Sequence, residues 1–329
     1  MLIKFSSHIR AEVWLKNQPI DVIRKKFLQF GYACVYNLVN EFDCLKIYQD
    51  SVTRMHSGEI SVSNWRHDLG THQPQVIEGI ENTGQIMWPQ DRIPGLGNGP
   101  LHERGLILSK ALLGSDIEFD FDMLIYKDPY TGGQKMSNEK TSFYPGQQGE
   151  TPWHQDESYW PSGLCKLEDK SKLAKIFPGR TITIWMALDD INENNGCLWF
   201  VPGSHKKGLR KHRTAGQNSH VLTTDEISEV YNGQVHSVPL KPGSAVIWTG
   251  RTLHFAAGNK SNILRRTYIT NYRPNNAINY ERKSGFNHLR NGFDDFDPTT
   301  AGDVYLTSKP KYEKARSVAL KNIKDKKIS

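Results

Sequence analysis

Trp153-His154-Gln155-Asp156 is the stretch on which the reading of this 329-residue chain turns. Residues two apart on a strand point to the same face. A strand through these four residues therefore aims the His154 imidazole and the Asp156 carboxylate at one point. A second imidazole, His254, stands far downstream, and Arg265 follows it by 11 residues. Two histidines and one carboxylate on one face of a metal leave open positions, the usual arrangement for non-haem Fe(II) in oxygenases. Arg265 adds a permanently charged planar fork suited to a carboxylate, such as that of a 2-oxo acid. From spacing alone the alternative stays open that a core histidine is simply paired with a carboxylate.

The neighbourhood of the triplet reads as β-structure. Strand candidates fall at 117–126, 151–156, 181–188, 197–201, 235–239, 244–248 and 265–272. Asn194-Asn195-Gly196 between two of them is a hairpin turn signal, because Asn and Gly tolerate positive φ. Pro202-Gly203 and Pro242-Gly243 mark further turns. His254 follows the Ser244-Ala-Val-Ile-Trp248 candidate and Arg265 opens the last one. Adjacent antiparallel strands would then bring these groups to one mouth.

Upstream the texture is helical. Ile20, Ile23, Phe27 and Phe30 recur at helical spacing, with Gly31 placed to stop the helix. A strand-like Tyr32–Tyr36 segment follows. Asn40 is expected to cap a second helix carrying Phe42, Leu45, Tyr48, Val52 and Met55, and ending near Gly58. Residues 58–100 read as loop with short strands at most, and a third helix covers 101–113 up to Gly114. The division is a single catalytic domain over 1–307, with a mainly helical preface (1–116), a β-core (117–273) and a C-terminal extension (274–307). A basic tail occupies 308–329. The architecture expected is mainly β with flanking helices. Segments 128–150 and 161–180 interrupt the strand pattern and are candidates for the substrate enclosure.

Composition narrows the function classes. No apolar run approaches the ~18 residues of a membrane span, and the first ten residues lack a signal-peptide core, so a cytoplasmic, non-membrane protein is expected. Cys34, Cys44, Cys165 and Cys197 are scattered without a C-x-x-C pair and read as free thiols. The net charge of +7 resembles a nucleic-acid signal until it is located. Lys309, Lys311, Lys314, Arg316, Lys321, Lys324, Lys326 and Lys327 face only Glu313 and Asp325 in the tail. That segment carries six net positive charges and leaves about one for everything before it. The nearly neutral body argues for a small-molecule substrate and against nucleic acid as partner. His205 in its Pro-Gly-Ser-His turn is read as structural, and His212, His220 and His236 as surface residues.

Several motifs occur in order: Pro152-Trp-His-Gln-Asp-Glu-Ser-Tyr-Trp160, Trp185-Met-Ala-Leu-Asp-Asp190, Asn195-Gly-Cys-Leu-Trp-Phe-Val-Pro-Gly-Ser-His205, Gly243-Ser-Ala-Val-Ile-Trp248 and the His254…Arg265 pair. Together they resemble the phytanoyl-CoA dioxygenase-like family of Fe(II)/2-oxoglutarate-dependent oxygenases, over roughly residues 117–273. The resemblance implies a double-stranded β-helix (jelly-roll, cupin-like). It matches His154, Asp156 and His254 to the iron ligands and Arg265 to the arginine that holds the distal carboxylate of 2-oxoglutarate. Trp185 and Met123 fall where that family lines the co-substrate pocket. Strand alternation turns Arg266 to the opposite face, and only a one-residue slip would exchange its role with that of Arg265. Nothing in the chain resembles an acyl-CoA recognition module, so the namesake's CoA-ester substrate is not carried over.

The activity implied is a dioxygenase using Fe(II), 2-oxoglutarate and O2 to hydroxylate an unactivated C–H of a small molecule, releasing succinate and CO2. Desaturation or ring closure is open to the same oxidant. The rival readings are a nucleic-acid demethylase of the same chemistry and a non-catalytic metal-binding sensor on the same scaffold. Sequence leaves the primary substrate and the oligomeric state open.

Overall fold

The computed structural model describes residues 2–5, 8–69, 83–129, 149–160, 179–215, 221–283 and 286–290. Within them the helical preface comprises α1 (Ala11–Lys16), α2 (Ile20–Phe30) and α3 (Phe42–His56). The strand β1 (Tyr32–Val35) falls between α2 and α3. Then come β2 (Arg66–Asp68), β3 (Thr83–Met87), α4 (Pro89–Arg92), α5 (Pro100–Leu113), β4 (Ile117–Lys127), β5 (Thr151–His154), β6 (Ile182–Ala187) and β7 (Leu198–Phe200). The chain continues through β8 (Arg213–Thr214), β9 (Leu222–Thr223), α6 (Ser228–Tyr231), β10 (His236–Val238), β11 (Ala245–Trp248), β12 (His254–Ala256), β13 (Arg265–Pro274) and α7 (Asn275–Lys283).

Two antiparallel sheets carry the site. The larger has the order β1-β11-β6-β13-β4-β3-β2 and the smaller β10-β7-β12-β5, with β8-β9 as a separate ribbon. The order is non-sequential, as expected when strands cross repeatedly between two packed sheets. Alternation along each strand divides the core. Ile184, Tyr268 and Tyr272 face α3 and α5 and pack against Tyr48, Val52 and Leu108. Trp185, Val246, Trp248 and Ile269 face the other way, toward Phe200 of the smaller sheet. β6 and β11 are thus buried on both faces, which is why each reads as a nearly continuous apolar run.

α2 ends where expected. Gly31 takes φ 87°, and its N–H bonds to the Phe27 carbonyl, a left-handed stop that a residue with Cβ adopts at a cost. α3 departs from expectation. Its cap is Glu41, in extended conformation and without a side-chain cap bond, not Asn40. The Glu41 carboxylate is instead committed to the buried guanidinium of Arg104 and to the Ile9 N–H. The stretch 58–100 holds more structure than its polarity suggests, since every residue of β3 is buried beside β4. Most of segments 128–150 and 161–180 lies outside the described residues, as do Cys165, His220, the extension beyond 290 and the basic tail. Cys34, Cys44 and Cys197 are free thiols. Among the described residues no helix is long and apolar enough to cross a membrane.

Candidate metal centre

The triplet is built slightly differently from a simple strand. β5 stops at His154, Gln155 keeps an extended backbone (φ −121°, ψ 127°), and Asp156 opens a 3-10 turn through Ser158. The extended residue between them preserves the same-side placement that a full strand would give. His254 on β12 pairs in register with His154 on β5, and the two ring centroids lie 4.2 Å apart. Both imidazole Nε2 atoms stand 3.4 Å from Asp156 Oδ1. One ligand atom from each of the three residues falls within 4.8 Å of the others, so the group could hold a metal ion.

One local device orients both rings. His154 Nδ1–H donates to the carbonyl of Pro152 at 2.7 Å, and His254 Nδ1–H to that of Thr252 at 2.9 Å. A carbonyl only accepts, so the proton sits on Nδ1 and each Nε2 lone pair is free for a cation. Burial, with His254 alongside, lowers the pKa of His154 and favours the neutral ring. Burial opposes ionisation of Asp156, but the facing imidazoles hold its carboxyl well below the usual range. The second carboxylate oxygen, Oδ2, accepts from Trp248 Nε1–H at 2.8 Å and from the Thr183 hydroxyl at 2.9 Å. Glu157, next in the turn, is buried and pairs with Arg251 at 2.7 Å. That pair ties the turn carrying Asp156 to the loop leading into His254.

Arg265 lies on the inner face of β13, and its side chain is 1% exposed. Its hydrogen bonds are long, 3.5 Å to the Ile125 carbonyl and 3.3 Å to Thr267 Oγ1, and its buried Nε has no partner. Burial pulls its pKa down to about 9. The guanidinium lies over the Trp185 ring, 5.4 Å from the centroid. Arg266 turns outward as alternation requires and binds Asp189 through both nitrogens of its fork and Thr53 of α3. Lys127, opposite Arg265 in the β13–β4 register, is a buried cation that sequence reading passed over. Its ammonium donates to the carbonyls of Gly149 and Ala257. Burial, then the charge of Arg265, depresses its pKa. Its signal was parity, since it shares the face of Met123 and Ile125.

A cavity opens beside His154 and Asp156, with Gln85, Phe121, Met123 and Tyr159 among its lining. Met123 is therefore on the wall, its Sδ 3.0 Å from the Gln85 amide, whereas Trp185 sits in the inter-sheet core beneath Arg265. His205 lies in a turn away from the triad and contacts the Leu28 carbonyl. His212 is not an idle surface residue. Its Nε2 accepts the Gln155 N–H at 3.0 Å, so it braces the backbone between His154 and Asp156. His236 is exposed and bonds the Tyr32 hydroxyl.

Two packed antiparallel sheets with two histidines and an aspartate converging between them define the non-haem iron oxygenase arrangement. Comparison with known proteins agrees. Residues 27–267 match the sequence model of the family described as phytanoyl-CoA dioxygenase (PhyH). The chain is 33% identical over 241 residues to a phytanoyl-CoA dioxygenase of Arabidopsis thaliana, covering 70% of this chain and 75% of that protein. It is 36% identical over 93 residues to phytanoyl-CoA dioxygenase domain-containing protein 1 of Danio rerio, covering 27% of this chain and only 32% of that one. EvdO2 from Micromonospora carbonacea var. aurantiaca, solved in complex with 2-oxoglutarate, shares the fold with a TM-score of 0.54 and 23% identity. That match covers 77% of this chain and 90% of EvdO2. The chain belongs to the phytanoyl-CoA dioxygenase family, a family of iron- and 2-oxoglutarate-dependent dioxygenases.

Proposed function

We propose that this protein hydroxylates an unactivated C–H of a small molecule, with His154, Asp156 and His254 holding Fe(II). In this reading Arg265 takes the distal carboxylate of 2-oxoglutarate, and Met123 and Trp185 shape the co-substrate pocket. One observation carries the reading. Three lone-pair donors converge within 4.8 Å on the same inter-sheet space as a buried guanidinium whose Nε lacks a partner. A buried charge of that kind is costly without an anion, and a dicarboxylate chelating the metal at one end would supply it at the other.

When bound, iron with 2-oxoglutarate and O2 supplies the oxidant: the substrate C–H becomes C–OH, and 2-oxoglutarate leaves as succinate and CO2. The chain's own part is placement. The Nδ1–H bonds to Pro152 and Thr252 aim the two imidazoles, and the Arg265 fork fixes the direction of the co-substrate. Phe121, Tyr159, Trp160 and Val221 give the cavity an apolar wall, which favours a hydrocarbon portion at the reacting end and excludes water there.

The test is succinate release by purified protein given Fe(II), 2-oxoglutarate and a panel of metabolites, compared with His154→Ala. Wild-type release that depends on iron and is stimulated by substrate, and absent in the variant, is expected. Equal succinate release by His154→Ala would refute the assignment.

A further inference from the structure

We propose that Trp248 and the Thr183–Asn271 pair are positioning residues that hold Asp156 as a one-oxygen ligand. Through them, the larger sheet sets the geometry of a site whose histidines belong to the smaller one. The inference rests on the reading of His154, Asp156 and His254 as iron ligands.

The three residues stand on neighbouring strands of the larger sheet: Trp248 on β11, Thr183 on β6 and Asn271 on β13. Both histidines stand on β5 and β12 of the smaller sheet. Asp156 lies past the end of β5, where no ladder bond holds its backbone, and its side chain needs partners of its own. What fixes it is a pair of donors on Oδ2, the Trp248 indole N–H at 2.8 Å and the Thr183 hydroxyl at 2.9 Å. The direction of the hydroxyl is determined. Asn271 Nδ2–H donates to Thr183 Oγ1 at 2.9 Å, and the hydroxyl's single proton is thereby left for the carboxylate. Thr183 and Asn271 are 2% and 0% exposed, so water does not compete for these bonds.

With Oδ2 engaged twice, Asp156 presents Oδ1 alone, at 3.4 Å from each Nε2. A carboxylate free to turn about its last bond would offer both oxygens, and the second would occupy a position that the co-substrate or O2 requires. Partners behind a metal ligand typically contribute about 10–100-fold to metal affinity. The indole N–H has the larger part, because its ring is locked between the sheets against Phe200 and His254.

Anaerobic calorimetric titration of the full chain with Co(II), an oxygen-stable substitute for ferrous ion, tests this together with the thermal midpoint. Trp248→Phe and Thr183→Val are each expected to weaken Co(II) binding about 10–100-fold. Thr183→Ser, which keeps the hydroxyl, is expected to restore it to within about threefold. A purely structural role would lower the thermal midpoint of the variants and leave the dissociation constant in place. Unchanged Co(II) affinity in Thr183→Val overturns the proposal even if Trp248→Phe fails to fold. Wild-type protein that binds no Co(II) would instead overturn the ligand assignment beneath it.

Discussion

Replacing Arg265 by methionine is expected to move stability and co-substrate binding in opposite directions. The guanidinium is 1% exposed, its hydrogen bonds are 3.3 and 3.5 Å long, and its Nε is unpartnered. Burial lowers its pKa from 12.5 to about 9, which corresponds to a ceiling of about 5 kcal/mol against the charged form. Attraction to the Trp185 ring returns about 1 kcal/mol of this. Exchanges of buried ionic groups for apolar ones of similar volume stabilise proteins by about 1–4 kcal/mol. Arg265→Met should therefore raise the unliganded thermal midpoint by several degrees. In the proposed reading the same change also removes the buried charge partner of the dicarboxylate, at a cost of about 2–5 kcal/mol. The affinity for 2-oxoglutarate should fall between about 30-fold and a few thousand-fold. Arg265→Lys, which keeps the charge and loses the fork, should fall between the two. Calorimetry with 2-oxoglutarate and Mn(II), and thermal unfolding without either, read both arms. A methionine variant that is less stable than wild type, yet binds 2-oxoglutarate within about threefold, would refute the reasoning.

Acid should remove a further contribution that can be traced to one side chain. Burial opposes the charge on Glu229, but Arg210 at 2.6 Å and Lys207 at 2.8 Å bring its pKa from 4.5 to about 2. A carboxylate depressed in the folded state stabilises above its unfolded pKa, and that contribution is lost as pH falls from 4.5 towards 2. The loss is at most about 3 kcal/mol, and Glu229→Gln should flatten the fall in urea midpoint between pH 5 and pH 2.5; an unchanged slope would assign the effect elsewhere. Gly196→Ala should impair the end of the site proposed above for the co-substrate. The residue takes φ 94°, and an added Cβ would sit 2.6 Å from the Ala257 carbonyl and 3.1 Å from Lys127 Cδ. We expect about 1–3 kcal/mol of destabilisation and a raised KM for 2-oxoglutarate; wild-type values for both would show that the turn yields freely.

Much of the site was legible because it depends on local periodicity. The His154/Asp156 placement needs only one extended residue between them, and that survives although the strand ends early. The choice of Arg265 over Arg266 needs only alternation, and the outward Arg266 with its bidentate bond to Asp189 agrees. What stayed hidden depends on which strands become neighbours. Trp248 and Thr183 meet Asp156, and Asn271 meets Thr183, only because β11, β6 and β13 adjoin in that order, and no local pattern encodes that order. β3 escaped for a different reason. Thr83-Gly84-Gln85 is too polar to read as a buried strand, although its place beside β4 and the cavity buries all of it.

The strand β4 shows how a local pattern can mislead while still being correct. Ile117, Phe119, Phe121 and Met123 alternate with Glu118, Asp120 and Asp122 and, with Ile125, fall on one apolar face by spacing. In the register with β13, Asn271 pairs with Phe121 and Tyr272 with Phe119, so Asp120 is an extra residue. Such a bulge reverses the faces beyond it. Phe121, Met123 and Ile125 line the cavity, whereas Ile117 joins the helix-side core and Phe119 packs against it. The displaced Asp120 is itself buried, where it binds Arg273, Arg282 and His288. An unpaired carboxylate there would be untenable, and His288 in turn stacks on Phe121 at 3.9 Å. The bulge thus joins the segment after α7 to the cavity wall. One apolar stripe thereby serves both the helix-side core and the wall of the cavity, and the residue that interrupts it also binds Arg282 of α7 and His288 just after it.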